Sequence, residues 1–468
     1  MSRLAGQATA AALAFTLAGC MVGPIYRVPD IATAPAFRAA PPTAAAGALR
    51  PPDWWRTFHD PGLDDLESRA LAQNLDLAAA AARVGQARAA AKAASAALLP
   101  AAQADGQAAR AYSSVAGTNA YLAHAPGYSR TGSLYDLTAG ASWELDIFGG
   151  LRRDAQAARA DLAAAGADLA GARLMLTADV ADAYIQLRAF QTRLILARSQ
   201  IDADRRLLDL VRLRFQEGQA ARREVDIAEA SLGQAQAVEP LLAVGLEAQL
   251  NRLAVLTGVS PEAGRSALAA PGPIPLAPDL EPGPPGALLR TRPDLAAAER
   301  RLAAADARIG SAISGYYPKV SLQSLLGWES TSAATLITSP AAEAQGALGI
   351  KWRLFDFGRV DAEVANARGA EAAALAAYRQ GVLRACEDVE NALTARLQQA
   401  GRAIMLRRTE AALQRTRQAT GDAYEAGTVS LLEVIDADRQ LMATQDGAAQ
   451  ADAETARAAV ALARALGG

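Results

Sequence analysis

The sequence predicts an α+β chain built as two copies of one unit, with short strand pairs set between very long helices. Three observations predict it. Residues 76–100 reappear as residues 294–318, so Asp76-Leu77-Ala78-Ala79-Ala80 meets Asp294-Leu295-Ala296-Ala297-Ala298 and Pro100 meets Pro318. Residues 143–258 reappear as 352–467: Trp143-x-Leu145-x-x-Phe148-Gly149 meets Trp352-x-Leu354-x-x-Phe357-Gly358, and Phe215-Gln216-Glu217-Gly218 meets Tyr424-Glu425-Ala426-Gly427. Residues 151–216 and 359–425 contain no proline and read as uninterrupted helices. At a rise of about 1.5 Å per residue each is roughly 100 Å long, far beyond an ordinary globular helix. A repeat of this length marks two half-structures, not a solenoid of small units.

The chain opens with Arg3, an apolar stretch over residues 4–18 and then Leu17-Ala18-Gly19-Cys20. That stretch is too short for a permanent membrane helix and reads as an export signal over residues 1–19. Small residues leading into a cysteine resemble a lipoprotein signal, in which Cys20 is acylated and becomes the first residue. Met21 follows, not an aspartate, and by analogy this favours delivery to the outer membrane. Residues 20–60 form a tether rich in proline and alanine in its first part.

The first repeat, residues 61–268, then holds a helix over 63–99, strands at about 101–113 and 134–147, the long helix over 151–216 and a return helix over 223–256. Residues 269–286, rich in Pro and Gly, join the copies. The second repeat, residues 287–468, holds a helix, strands at about 318–329 and 345–356, the long helix over 359–425 and a return helix over 431–466.

The strands are read from alternation. Leu137, Ala139, Ala141, Trp143, Leu145 and Ile147 alternate with Asp136, Thr138, Gly140, Ser142, Glu144 and Asp146; Leu348, Ile350, Trp352 and Leu354 alternate with Gly349, Lys351 and Arg353. Segments of about ten residues, apolar on one face and polar on the other, suit a membrane β-barrel. Soluble hairpins packed on a helix would show the same pattern. Four strands cannot close a barrel and open sheet edges cannot face lipid, so a barrel needs several chains; three give twelve strands. Trp143, Phe148, Tyr316, Tyr317, Trp352 and Phe357 gather at the strand–helix junctions, where a membrane-interface belt is expected; aromatics filling a junction core would give the same pattern.

Composition excludes other classes. A formal charge of −2 provides no basic surface for nucleic acid. Cys386 is the one cysteine besides Cys20, so no disulfide framework is expected in the mature chain, and His59 and His124 lie too far apart to nucleate a metal site. No HExxH, Walker A or GxSxG pattern occurs. No enzyme, metal or cofactor is expected beyond the lipid on Cys20.

Four stretches carry a family resemblance: Cys20-Met21-Val22-Gly23-Pro24-x-Tyr26; Asp53-Trp54-Trp55-Arg56-x-Phe58-x-Asp60-Pro61-x-Leu63; Arg292-Pro293-Asp294-Leu295-x-x-Ala298-Glu299-x-x-Leu302, running on to Tyr317-Pro318; and Gly427-Thr428-x-Ser430-x-Leu432-x-Val434-x-Asp436-Ala437. The chain resembles TolC-like outer-membrane factors of the lipoprotein, NodT-type efflux subgroup. The resemblance implies a homotrimer whose twelve-stranded outer-membrane β-barrel continues as a twelve-helix periplasmic α-barrel. It implies a periplasmic adaptor and an inner-membrane transporter of RND or ABC type as partners, small molecules as cargo, and outer-membrane lipid around the barrel. A type I protein secretion duct shares the architecture, and a non-conducting coiled-coil lipoprotein is the rival from another class.

The resemblance also places the periplasmic gate. Glu433 and Asp436 match its acidic constriction, and Tyr424 and Glu224 match a turn network completed by an arginine. Val429 stands where some members carry that arginine, which leaves either Arg222 or Arg223 to substitute or a closed tip that is looser and more apolar. The turns holding Gly218, Gln219, Gly427, Thr428 and Ser430 are the expected adaptor-docking surface.

Overall fold

The structure is a computed structural model of the chain and describes residues 21–39, 53–114, 116, 126, 128–268 and 270–468. The signal segment, Cys20 and residues 40–52 of the tether lie outside the described residues. Two compact units share the chain. Of the described residues, one comprises those up to Pro29, Val84–Ala164 and Ala298–Ala377, and the other those within Asp30–Arg83, Ala165–Ala297 and Tyr378–Gly468.

The elements follow in order as α1 (Pro61–Gln73), α2 (Leu75–Ala96), β1 (Ala101–Tyr112), β2 (Thr131–Leu145), α3 (Gly150–Gln216), α4 (Arg222–Leu256), α5 (Pro261–Leu268), a single turn α6 (Leu288–Thr291), α7 (Pro293–Ser314), β3 (Lys319–Ser330), β4 (Ala342–Lys351), α8 (Arg359–Glu425) and α9 (Leu431–Leu466). Between α5 and α6 the connection is irregular apart from a short turn at Pro285–Ala287.

In the first unit the four strands form one antiparallel sheet in the order β1-β2-β3-β4. The duplication extends to its register. Gln103 lies opposite Gly140 in the first hairpin, and their counterparts Ser321 and Gly349 lie opposite each other in the second. The same holds for Asp105 with Thr138 and for Gln323 with Ala347. One face carries Leu137, Ala139, Trp143, Leu322, Leu326, Trp328, Leu348 and Ile350, and the other Asp105, Asp136, Thr138, Ser142, Gln323 and Glu343. The large apolar residues of the first face are exposed on the single chain.

In the second unit the core is made of helix seams. Val180, Ala181, Ala183, Tyr184, Ile185 and Leu187 are buried on α3, and Ala451, Ala453, Ala456, Ala459 and Ala463 on α9. Small side chains let helix axes approach closely, which is how an alanine-rich chain obtains a core. Trp54, Trp55 and Phe58 are also buried, with Trp54 edge-on to both rings at 6.2 and 6.3 Å between centroids. Trp54 Nε1 donates to Thr177 Oγ1 at 3.2 Å. Asp60 starts α1 by accepting from the amides of Gly62 and Leu63 at 2.8 and 3.1 Å, ahead of Pro61 in the first turn.

Three boundaries depart from the sequence reading. The helix read over 63–99 is two helices, broken at Asn74, whose backbone is extended. Its side chain accepts from Leu77 N at 2.9 Å and donates to the carbonyl of Leu256 at 3.0 Å, replacing the helical bonds lost. The strand read over 134–147 ends at Leu145 because Asp146 turns to cap α3, accepting from Leu151 N and Arg152 N at 3.1 and 2.8 Å. The strand read over 345–356 ends at Lys351, where its neighbour β3 runs out at Lys319.

The break at Asn74 has a counterpart. Arg292, the residue matching Asn74, donates from Nη1 to the carbonyl of Ala465, which matches Leu256, at 3.0 Å. Its other bonds go to Asp388 Oδ2 at 3.0 Å and to both oxygens of Asp294 at 3.0 and 2.8 Å. Burial works against the charge on Asp294, but Arg292 outweighs it and holds the carboxyl below its usual range. Gly258 and Gly467 close the two joints with φ of +72° and +96°. A Cβ there would come within 2.4 Å of Gln73 O and 2.6 Å of Thr291 O, so both joints require glycine.

Candidate functional site

The turns between the long and return helices are built alike. Gly218 and Gly427 have φ of +75° and +74° with nothing near a notional Cβ, so they are needed for backbone conformation and not for room. Gln219 N donates to Arg214 O at 2.7 Å and Thr428 N to Ala423 O at 2.9 Å, the six-to-one bond of a Schellman turn. Gln219, Thr428 and Ser430 are exposed around these glycines.

Beneath the turns lies one apolar cluster: Leu208, Val211, Val225 and Ala228 from the first hairpin, with Tyr424, Leu431, Val434 and Ile435 from the second. Val429 packs against it, so the position lacking arginine is used as an apolar plug. Tyr424 is buried with its hydroxyl unpartnered, and the Arg214 guanidinium lies 4.7 Å from its ring centroid. No hydrogen bond joins Tyr424 to Glu224. Arg222 is spent on its own helix, pairing with Asp226 at 3.0 Å, and Arg223 is exposed.

Glu433 and Asp436 are exposed on one face of α9. Glu433 completes a capping box with Ser430, its Oε1 lying 3.2 Å from Ser430 N and 3.0 Å from Ser430 Oγ. Asp436 accepts from Gln440 Nε2 at 3.1 Å. The Ser430-x-x-Glu433 spacing is a capping-box signal, whereas the sequence reading assigned Ser430 to adaptor docking and Glu433 to the gate.

Sequence reasoning missed a buried ionic seam above the turn cluster. Asp438, 7% exposed, accepts from Arg417 Nε at 2.7 Å. Asp204, 4% exposed, accepts from Gln200 Nε2 at 2.9 Å. Burial pushes the Asp204 carboxyl up, and the charge of Asp438 adds to the shift. The signal was present, because Asp438 falls in the apolar phase of Leu431, Val434 and Ile435.

At the sheet junction, Trp143 Nε1 donates to Leu98 O and Trp352 Nε1 to Tyr316 O, both at 2.9 Å and both at matching positions of the repeat. Phe148 stacks on Tyr317 with centroids 4.5 Å apart. Tyr316 hydrogen-bonds Asp361. Phe357, the counterpart of Phe148, is fully exposed with φ of +55°.

The chain just after Cys20 is fastened to this junction. Val22 N donates to Phe148 O at 3.1 Å. Arg153, 1% exposed, donates to Val22 O at 3.1 Å and Gly23 O at 3.3 Å. Tyr26 Oη donates to Glu299 at 2.5 Å. Among the described residues no group of three or more His, Cys, Asp or Glu is placed to hold a metal, and no helix is long and apolar enough to cross a membrane.

Comparison with known proteins gives consistent matches along the chain. Residues 66–259 and 285–468 match the family model described as outer membrane efflux protein. The pyoverdine export outer membrane protein OpmQ of Pseudomonas putida is 34% identical over 435 residues, covering 93% of this chain and 92% of that protein. Nodulation protein T of Rhizobium leguminosarum bv. trifolii is 29% identical over 453 residues, covering 94% and 92%. A solved structure of the outer-membrane channel OprN superposes with a TM-score of 0.87 at 34% identity, covering 96% of this chain and 99% of that one.

Proposed function

Because the chain belongs to the outer membrane efflux protein family, we propose that it is the outer-membrane channel of a tripartite efflux system for small molecules. Three copies close a twelve-stranded barrel in the outer membrane, and their helical hairpins form a periplasmic tube. A periplasmic adaptor docks at the turns around Gly218, Gln219, Gly427, Thr428 and Ser430. An inner-membrane pump of RND or ABC type supplies the energy. The channel itself conducts passively and catalyses nothing.

The observation carrying this reading is the sheet, which has an apolar face, a polar face and two outer strands each paired on one side only. Such a sheet is viable in lipid only if other copies complete it. The lipid on Cys20 fits the same arrangement, because residues 21–23 are held beside Phe148 and Tyr317 at the aromatic junction. The polar face becomes the lumen, and Trp143, Phe148, Tyr316, Tyr317, Trp352 and Phe357 form the interface belt. Glu433 and Asp436 repeat three-fold at the narrow end and favour cations. Tyr424 packs beneath that end, while Arg222, Arg223 and Glu224 surround the neighbouring turn.

Single-channel recording in planar bilayers tests this. Wild-type protein should conduct with a preference for cations. Glu433→Gln with Asp436→Asn, which retains the cap geometry, should raise conductance and weaken that preference. Absence of conductance in the wild type would overturn the channel. An unchanged double variant would remove both residues from the constriction.

A further inference from the structure

The internal duplication carries one seam of the sheet onto another. Both hairpins keep the same register under the repeat, as Gln103–Gly140 and Ser321–Gly349 do. The seam between them, β2 with β3, joins one half of the chain to the other, with Trp143 opposite Leu322, Ser142 opposite Gln323 and Leu145 opposite Val320. In a ring of copies the corresponding seam joins β4 of one copy to β1 of the next.

From this we infer the register and chemistry of the contact between copies; the inference rests on the oligomeric channel proposed above. The repeat maps Ser142 onto Lys351 and Gln323 onto Asp105, so Lys351 pairs across the seam with Asp105 of the partner subunit. The polar pair inside the chain becomes an ion pair between chains. On the lipid face Trp352 meets Ala104 of the partner subunit, Ile350 meets Gly106 of the partner subunit, and Leu348 meets Ala108 of the partner subunit.

Three observations support this occupant over any other. Size is complementary, because the outward positions of β1 at this seam are Ala102, Ala104, Gly106 and Ala108, whereas β4 and its continuation present Leu348, Ile350, Trp352 and Leu354. Charge is complementary, because Lys351 is on one free edge and Asp105 on the other. Third, residues past Lys351 are left exposed where their counterparts in the first half are packed. Phe148 stacks on Tyr317, and the repeat assigns Phe357 to Leu99 of the partner subunit; both residues are bare on the single chain. With β1 of the next copy alongside, β4 extends beyond Lys351 toward the boundary that its sequence pattern suggested.

Disulfide trapping in the native outer membrane tests the register. Side chains directly opposite in an antiparallel pair have Cβ atoms about 4.5–5.5 Å apart, whereas the diagonal neighbours are about 7–8 Å apart. In a Cys386→Ser background, Lys351→Cys with Asp105→Cys should give a covalent oligomer in severalfold higher yield than Lys351→Cys with Gln103→Cys or Gln107→Cys. Highest yield from either shifted pair, in protein that still runs as a heat-resistant oligomer and conducts, would overturn the register and leave the channel reading standing. Loss of heat-resistant oligomer and conductance in the wild type would overturn both. Should the cysteine variants fold poorly, charge exchange provides a second test. Lys351→Asp or Asp105→Lys alone should lower the temperature at which the oligomer dissociates, and the two together should restore it; no restoration would overturn the ion pair.

Discussion

Glu67 is fully buried on α1, and neither of its carboxylate oxygens has a hydrogen-bond partner. Burial, with Asp64 adding, pushes its pKa from 4.5 up to about 10. The folded chain therefore holds a proton that the unfolded chain releases above its own pKa. Stability falls as pH rises from 4.5 to about 10, by at most about 1.4 kcal/mol per pH unit. Glu67→Gln carries no such dependence. Thermal unfolding at about pH 5 and pH 9 should show the variant gaining on the wild type at the higher pH; equal shifts would place the Glu67 carboxyl in contact with water. The site was legible as an anomaly, because Leu63, Leu66, Glu67 and Ala70 mark one helix face with an acid inside the apolar phase. The unpartnered Tyr424 hydroxyl was not legible, since it depends on where another helix stops.

At the scale of elements, the two joints invite a direct comparison. Arg292→Ala removes a forked guanidinium with four partner atoms and should cost about 2–3 kcal/mol. Asn74→Ala removes one cap and one carbonyl bond and should cost about 1–2 kcal/mol. Arg292→Lys should not recover the loss, because an ammonium cannot form the fork. Denaturant unfolding followed by helical circular dichroism measures all three; equal costs for Arg292→Ala and Asn74→Ala would mean that Asp294 and Asp388 contribute nothing. The long helices were legible from uninterrupted propensity, and Gly218 and Gly427 marked their ends. The break at Asn74 was hidden because one asparagine among alanines and leucines leaves the helical period intact; its local cap on Leu77 N is joined by a bond to the carbonyl of Leu256, which is far away in sequence. On the single chain β4 stops short of its sequence pattern for a related reason, since the alternation continues through Leu354 after the neighbouring strand has run out.

Taken whole, the molecule has helical seams that bury many of their apolar residues, with Leu213, Leu241, Val244 and Leu383 left exposed, and a sheet whose large apolar residues are exposed. Stability should divide accordingly. Heating or diluting detergent-solubilised protein should first abolish the heat-resistant oligomer together with the strand signal, at a temperature that rises with protein concentration. Helical signal should persist to a second, concentration-independent transition. A single coincident transition would mean that the helices also depend on assembly. The repeat made the half-structures and their order legible from sequence, but the pore-lining roles proposed for Glu433 and Asp436 depend on neighbours that one chain does not encode locally. The preserved register has an arithmetic consequence. A ring of six identical half-chains would have six identical seams between halves and nothing to mark where one molecule ends. In the proposed ring the neutral Ser142–Gln323 pair of each internal seam would alternate with the charged Lys351–Asp105 pair of each seam between copies. Each chain would then carry a lysine on one free edge and an aspartate on the other, so a doubling of parts has left the seam within a molecule distinguishable from the seam between molecules.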